Sequence, residues 1–478
     1  MRQEKGSITI FSLISLLLVT ATLFALLEGT RFQELRRFAD LQTKAALESG
    51  FASYCTCLWE KYHLLGADEV LLKEQVKKSA NGRMGRGTNF LRLRPEQIEE
   101  KSYTYITDGE GRVFIGSVAG YMKENLLYEA AKEIYSQYDA IKHLMDSNQM
   151  DMTDIGAALQ EIEQANTPSK AKSIGTATKQ ETKIDVEVIL KTVKEWQKLG
   201  ILELVIEDTK KLSNAEWDFS NGLMERVLAE GKDYADSEVG WQERILLQQY
   251  LLTYMSSFQN VQEGRALSYE LEYLLGQKSS DIENLKSVTT KLLAIREAAN
   301  FLYLLSNPVK VAQADAAAAL IVGASLNPVL FEVVKTGILT AWAFIESILD
   351  VRALLAGKRI ALLKSEETWT SELANLGEIT KGFAMAKEST WGLNYENYIG
   401  VLLLLENEQT LAMRTMAAQE ATIRETYQDA SFRMDTLITQ ACVRVSYSYQ
   451  PVFPFLSVMD AKEKWEYAVS ATTNYGYY

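Results

Sequence analysis

The chain has 478 residues, 47% of them hydrophobic and 24% charged, a length for two to four domains and an ordinary globular composition. That balance excludes a chain disordered throughout and a polytopic membrane protein. Its net charge of −13 repels phosphate backbones and argues against nucleic-acid binding. With only two histidines, His63 and His143, most His-based metal sites and triads are excluded.

Residues 1–6 form a short charged leader, followed by SITIFSLISLLLVTATLFALL at 7–27, 21 residues without a charge. As a helix this run is about 31 Å long, matching a hydrocarbon core of ~30 Å. A cleaved secretory signal would have a shorter apolar core and an A-x-A-like site, and EGTRFQELRR after Leu27 offers none. Residues 7–27 are therefore expected to anchor the chain as a single membrane span. Arg31, Arg36, Arg37 and Lys44 on the far flank outnumber Arg2 and Lys5, and by charge count alone the body would face the cytoplasm. Long domains translocate regardless of such charges. The best candidate for a second span, within 315–363, has Ala316–Phe331 as its longest uncharged run, and Gly323, Asn327 and Pro328 interrupt it. It falls short of ~20 apolar residues, so buried core helices are expected there.

Six prolines in the whole chain impose few breaks, so long helices should dominate. Residues 28–116 are expected to form a helical stem, with Phe32, Leu35, Phe38, Leu41, Ala45 and Phe51 at helical spacing, and then a β-hairpin. Between these lies 77–94, where Arg83, Arg86, Arg92 and Arg94 stand among Gly82, Gly85 and Gly87. This is a loop, either simply solvated or touching an anionic surface of lipid headgroups or cell-wall polymer. The hairpin is read in SYTYITDGEGRVFIG at 102–116, turning at DGEG. Residues 117–165 read as helical, 166–183 as a small, polar linker, 184–435 as a helical domain, and 436–478 as a C-terminal β element. The β element rests on CVRVSYSY at 442–449, a strict period of two. The expected fold is mainly α with a small α+β element. Strand signals near both ends suggest that 28–116 pairs with the strand within 440–456 and that the helices between are an insertion.

No Walker loop, HExxH, GxSxG or GxGxxG motif occurs, so no cofactor and no catalytic residue is named. GRMGRG at 82–87 lacks the strand–helix context of a phosphate loop. Cys55, Cys57 and Cys442 leave several readings open. A zinc set completed by His63 does not have the spacing of a zinc knuckle. On one continuous helix Cys55 and Cys57 would point about 200° apart. A disulfide from either to Cys442 suits an oxidising compartment, and small buried thiols are the plainer reading. Glu346 and Asp350 share a helix face at i, i+4, a spacing usable for acid–base or metal work, but Arg352 and Lys358 nearby favour a salt-bridged face. Glu270 and Glu272 invite the same two readings. Arg296 and Glu297 sit inside an apolar helix pattern, where charges must be paired, and Ala316–Ala319 suits close helix packing.

Several stretches together resemble known families. KGSITIF at 5–11 and LLEGTRF at 26–32 resemble the start of pilin-like proteins of the Tad (tight adherence) type. Residues 268–301, 339–369 and 392–405 are similar to an uncharacterised membrane-protein family of Gram-positive bacteria, known only as a domain of unknown function, whose members resemble TadE/TadG-type pseudopilins. The resemblance implies leader cleavage between Gly6 and Ser7, although Phe11 stands where such leaders place Glu. It also implies a body outside the cytoplasm, against the charge count, and pilus or secretion subunits as partners. The expected function is then a surface-exposed, membrane-anchored structural component of a Tad-like pilus or secretion apparatus. A carboxylate-dependent cell-wall hydrolase and a cytoplasm-facing membrane scaffold are the alternatives.

Overall fold

The computed structural model describes residues 4–82, 93–124, 141–142, 195–196, 198–232, 239–322, 328–379, 382–449 and 467–477. The linker expected at 166–183 and most of 117–165 lie outside them. The chain is mainly helical, with a long apolar N-terminal helix and a small antiparallel sheet. It divides into two compact units: residues 1–121, 223–239 and 431–478 form the first, and residues 122–222 and 240–430 the second.

Unit 1 is built on α1 (Glu4–Phe51), 48 residues without a proline. Its second half buries Leu35, Ala39, Ala46, Leu47 and Phe51, one stripe at three- and four-residue spacing. The stripe packs on a four-stranded sheet of β1 (Ala67–Asp68), β2 (Leu93–Tyr105), β3 (Leu437–Tyr449) and β4 (Tyr467–Gly476). Strand β3 is central, and all pairings are antiparallel. Ile438 faces Tyr105 on one edge and Ala67 on the other, so β1 and β4 share the second edge end to end. The alternation read in 442–449 holds as far as Tyr447: Val443, Val445, Tyr447 and Tyr449 are buried and Cys442, Arg444 and Ser446 half-buried, but Ser448 is buried too. The pairing Ser102↔Cys442 joins strands 340 positions apart in sequence, so the sheet does link the two ends of the chain. Pro95 lies at a register shift in β2, where its missing N–H breaks no ladder.

Helix α3 (Glu69–Gly82) lies against α1. Gly50 permits that approach, since a Cβ there would stand 2.9 Å from Val76 Cγ2. The short α2 (Thr56–Tyr62) ends at His63, whose φ of 53° is left-handed.

The hairpin expected at 102–116 does not form. Its first arm is β2, but Gly109, Glu110 and Gly111 are all left-handed, with φ of 64°, 56° and 88°. The chain then enters α4 (Arg112–Glu124). Phe114, Ile115, Val118 and Ala119 are buried, a helical stripe. A two-residue hairpin turn has no room for three left-handed residues in series. The partner of β2 is β3, from the far end of the chain.

Unit 2 comprises α5 (Ile201–Val205), α6 (Trp241–Tyr254), α7 (Glu270–Gly276), α8 (Asp281–Ser306), α9 (Pro308–Val322), α10 (Pro328–Leu355), α11 (Leu376–Ile379), α12 (Tyr395–Leu405) and α13 (Glu408–Tyr427). Local signals fix the ends. Pro308 and Pro328 open their helices, where a missing N–H costs nothing. Ser280, Asn394 and Asn407 cap the starts of α8, α12 and α13. From Gly337 to Leu355 every residue of α10 is buried, so this part of the helix runs through the core and the charged residues it carries are buried with it. Ala317 and Ala318 of α9 are fully buried where α9 meets α10. Among the described residues only α1 is long and apolar enough to cross a membrane.

Candidate functional site

The first half of α1 is largely exposed among the described residues. Ile8, Phe11, Leu17 and Leu26 are 66–73% exposed, as part of an apolar surface running from Ile8 to Leu27. At about 1.5–3 kcal/mol per large apolar side chain, leaving this surface in water costs tens of kcal/mol, so it requires a cover. Several of its hydroxyls are already satisfied within the helix. Ser12, Thr20 and Thr22 donate to the carbonyls four residues back, at 2.7, 2.9 and 3.0 Å. Such bonding removes the cost of placing hydroxyls in hydrocarbon. Where exposure ends, Arg31 is buried, donates to Glu28 at 2.7 Å and lies over the Tyr449 ring. Phe32 meets the same ring, with centroids 6.0 Å apart. Deeper in, the hydroxyls of Thr43 and Tyr447 are 2.9 Å apart. The helix thus leaves the sheet through a charged and aromatic collar.

Two carboxylates of unit 1 hold the returning segment 223–239. Asp108 accepts from Gly231 N at 3.0 Å and Tyr105 N at 2.8 Å. Asp435 accepts from Arg226 at 2.5 Å, Arg433 at 2.6 Å and Ala229 N at 3.3 Å. Burial pushes the Asp435 carboxyl up, but Arg433 and Arg226 outweigh it and hold it at about 2. A cavity of about 90 Å³ lies among Leu47, Leu72, Val76, Ile98, Val443 and Lys73. Lys73 is engaged there by Glu69 at 2.7 Å and Glu100 at 2.9 Å.

Unit 2 carries a charge cluster in its core. Glu346 and Asp350 of α10 are fully buried, and Lys364, 1% exposed, lies between them. Lys364 Nζ is 2.6 Å from Asp350 Oδ1 and in closer contact with Glu346 Oε1. Asp350 Oδ2 accepts from Arg296 Nε at 3.0 Å and Asn300 Nδ2 at 2.8 Å. Arg296 also donates to Tyr398 at 3.0 Å and the Leu362 carbonyl at 2.8 Å. Burial pushes the Asp350 carboxyl up, and the charges of Lys364 and Arg296 overcome it, leaving it below the ordinary range. Glu346 and Asp350 are therefore salt-bridged, but to Lys364 and Arg296 and not to Arg352 and Lys358. Arg352 instead donates to the carbonyls of Leu204 and Ala384 and lies over the Trp196 and Phe383 rings.

Other buried carboxylates serve loops. Glu270 accepts from Ser256 N at 2.9 Å, and Glu272 from Phe258 N at 3.0 Å and the Tyr395 hydroxyl at 2.6 Å. Burial pushes Glu272 up to about 7, against those hydrogen bonds. Arg296 is paired as required, but its neighbour Glu297 is 4% exposed, with Oε1 lacking a hydrogen-bond partner, and burial pushes it up to about 7 as well.

The cysteines pair differently from the expectation. Cys55 and Cys57 are bonded to each other, and Cys442 is free on the less buried face of β3. Cys55 and Cys57 do not lie on one continuous helix, since Cys55 precedes α2 with extended backbone, so both side chains can turn to one side. The zinc set loses two of its thiolates to this bond. Arg94 is exposed near the start of β2, whereas Arg83, Arg86 and Arg92 lie outside the described residues. Gly6 and Ser7 fall within α1. Lys364 and Asn300 carry no motif, and only their burial in the fold marks them.

Residues 179–449, more than half of the chain, match the model of a family of unknown function (DUF5702). No curated protein and no solved structure matches the chain.

Proposed function

The chain belongs to the DUF5702 family, and from that premise we propose that it is a membrane-anchored structural component of a Tad-like pilus or secretion apparatus, working by protein–protein contact rather than catalysis. The observation that carries this reading is α1 itself: one unbroken helix, exposed and apolar over its first half and seated on a sheet over its second. Residues 7–27 span the bilayer, and the body stands on the outer side. A bilayer covers the apolar surface, accepts hydroxyls already bonded within the helix, and leaves the Glu28–Arg31 pair at the headgroup level. A long N-terminal helix serving as the spine of a small antiparallel sheet also resembles a pilin-like base, with the helices of unit 2 inserted between its strands.

The test is topological. A cysteine engineered into 166–183 should react with a membrane-impermeant thiol reagent on intact cells. Reaction only after lysis would place the body in the cytoplasm and defeat the proposal. A photo-crosslinker at Leu13 or Leu17 should give adducts with pilus or secretion subunits, and adducts with lipid alone would reduce the role to anchoring.

A further inference from the structure

We propose that Lys364 and Asp350 form a self-modifying site: within the folded unit 2 they condense to an amide cross-link, with Glu346 carrying the proton. Both reactants belong to this chain, and the idea does not depend on the membrane reading.

Three features of the cluster point this way. The amine and the carboxyl are already paired, with Lys364 Nζ 2.6 Å from Asp350 Oδ1, the oxygen that leaves. Contact of this kind between groups that cannot diffuse apart is the condition under which effective molarities reach about 10⁵–10⁸ M. The two oxygens of Asp350 are also in unlike surroundings. Oδ2 is held by Arg296 Nε at 3.0 Å, Arg296 Nη2 at 3.0 Å and Asn300 Nδ2 at 2.8 Å, a cradle of donors aimed at one oxygen. Oδ1 faces the amine. Glu346 is fixed for its part, with Oε1 accepting from Thr370 N at 3.0 Å, Oε2 from Ser371 N at 2.9 Å, and Oε1 also in close contact with Lys364 Nζ.

The third feature is burial. Lys364, Glu346 and Asp350 are 1%, 0% and 0% exposed, and the ammonium lies 5.6 Å from the Trp369 ring centroid. In water an amine and a carboxylate remain a solvated ion pair. In this interior both ions have lost their hydration, and condensation removes two of four buried charges while Arg296 and Glu346 keep the remainder neutral.

The step balances without a co-reactant. Glu346 takes one proton from the Lys364 ammonium. Glu346 passes that proton to Asp350 Oδ1 as the freed amine attacks Cγ, so charge builds only on Oδ2, where Arg296 and Asn300 meet it. The tetrahedral centre collapses as the Cγ–Oδ1 bond breaks. Oδ1 leaves as water with two protons from the former ammonium, one of them delivered by Glu346. A C–N bond has formed, one water is lost, and nothing is oxidised or reduced. The amide N–H is then placed to donate to Glu346.

The test is peptide mapping of the purified full-length chain, reduced and denatured before digestion. The expected product is a branched peptide in which the Asp350 and Lys364 segments are joined, lighter than their sum by one water, with a Lys364 amine that an acylating reagent cannot label. Linear peptides carrying a labelled Lys364, or a branch ending on Glu346, would overturn the proposal. In Glu346→Gln, closure should slow on the order of 10²-fold, the usual contribution of a positioned proton carrier. Native helicity with undiminished cross-linking in that variant would overturn the role of Glu346. Lys364→Arg, which keeps the charge, should give no branched peptide.

Discussion

Unit 1 buries its carboxylates at joints between distant stretches of chain, whereas the central cluster of unit 2 buries them on the flank of one helix. In unit 1, Asp108 accepts the Gly231 N–H, and Asp435 accepts the Ala229 N–H beside the Arg226 and Arg433 guanidiniums, so both hold a stretch that returns after a long excursion. In unit 2, Asp350 and Glu346 meet Arg296 and Lys364 mainly side chain to side chain, with Glu346 also accepting the Thr370 and Ser371 N–H groups, and these contacts set α8 and the segment after α10 against α10. A joint made through backbone N–H groups tolerates change in the donor's side chain. A cluster of four side chains does not, because each lost partner leaves a charge in a dry interior.

That contrast is sharpest at Arg296. Arg296→Met should destabilise unit 2 by about 3–5 kcal/mol, because it removes one cation from a buried cluster whose charges otherwise balance. Hydrogen exchange should quicken in α8 and α10 and stay unchanged in β2 and β3. Equal loss of protection in the sheet would mean that the two units share one stability.

The buried glutamates of unit 2 give the next effect. With Glu297 at about 7 against an ordinary 4.5, folded and unfolded chains are both protonated below pH 4.5, and there is no penalty. As pH rises from 4.5 to about 7 the unfolded chain ionises first, and unit 2 loses about 3 kcal/mol through this residue, in full above 7. Glu297→Gln should flatten that part of the stability profile. Asp435 acts with the opposite sign in unit 1: held at about 2, it stabilises above its ordinary 3.8, and that contribution vanishes as pH falls through about 2. Acid should therefore loosen the 223–239 joint first.

Gly231→Ala tests the same joint without charge. A Cβ there would lie 2.1 Å from Asp108 Oδ2 and 2.6 Å from the Tyr103 carbonyl, so a loss of about 1–3 kcal/mol is expected, read by urea denaturation followed at the sheet. The smallest effect should come from Tyr447→Phe, which removes the hydroxyl facing Thr43 and should cost about 1 kcal/mol.

The sequence was most legible where one element decided its own fate. The apolar run to Leu27 and the alternation of Val443, Val445 and Tyr447 depend on local chemistry, and the structure follows them. DGEG misled because local turn chemistry cannot say which strand will pair. Val113, Phe114 and Ile115 fit a strand as readily as a helix until β3 takes the edge of β2. The return of 223–239 left no signal, since Asp108, Asp435 and Gly231 are common loop residues. Glu346 and Asp350 stood out by spacing, but their partners did not: Lys364 in RIALLKSEE reads as an ordinary surface lysine, and only the fold buries it.

The account rests on the exposed half of α1 lying in a bilayer, and alkaline carbonate extraction of membranes from cells making the full chain tests it most directly. The full chain should remain in the membrane pellet, while a chain beginning at Glu28, which keeps the stripe from Leu35 to Phe51, should be soluble with its sheet intact. Release of the full chain, Met1 included, into the carbonate supernatant would contradict the account.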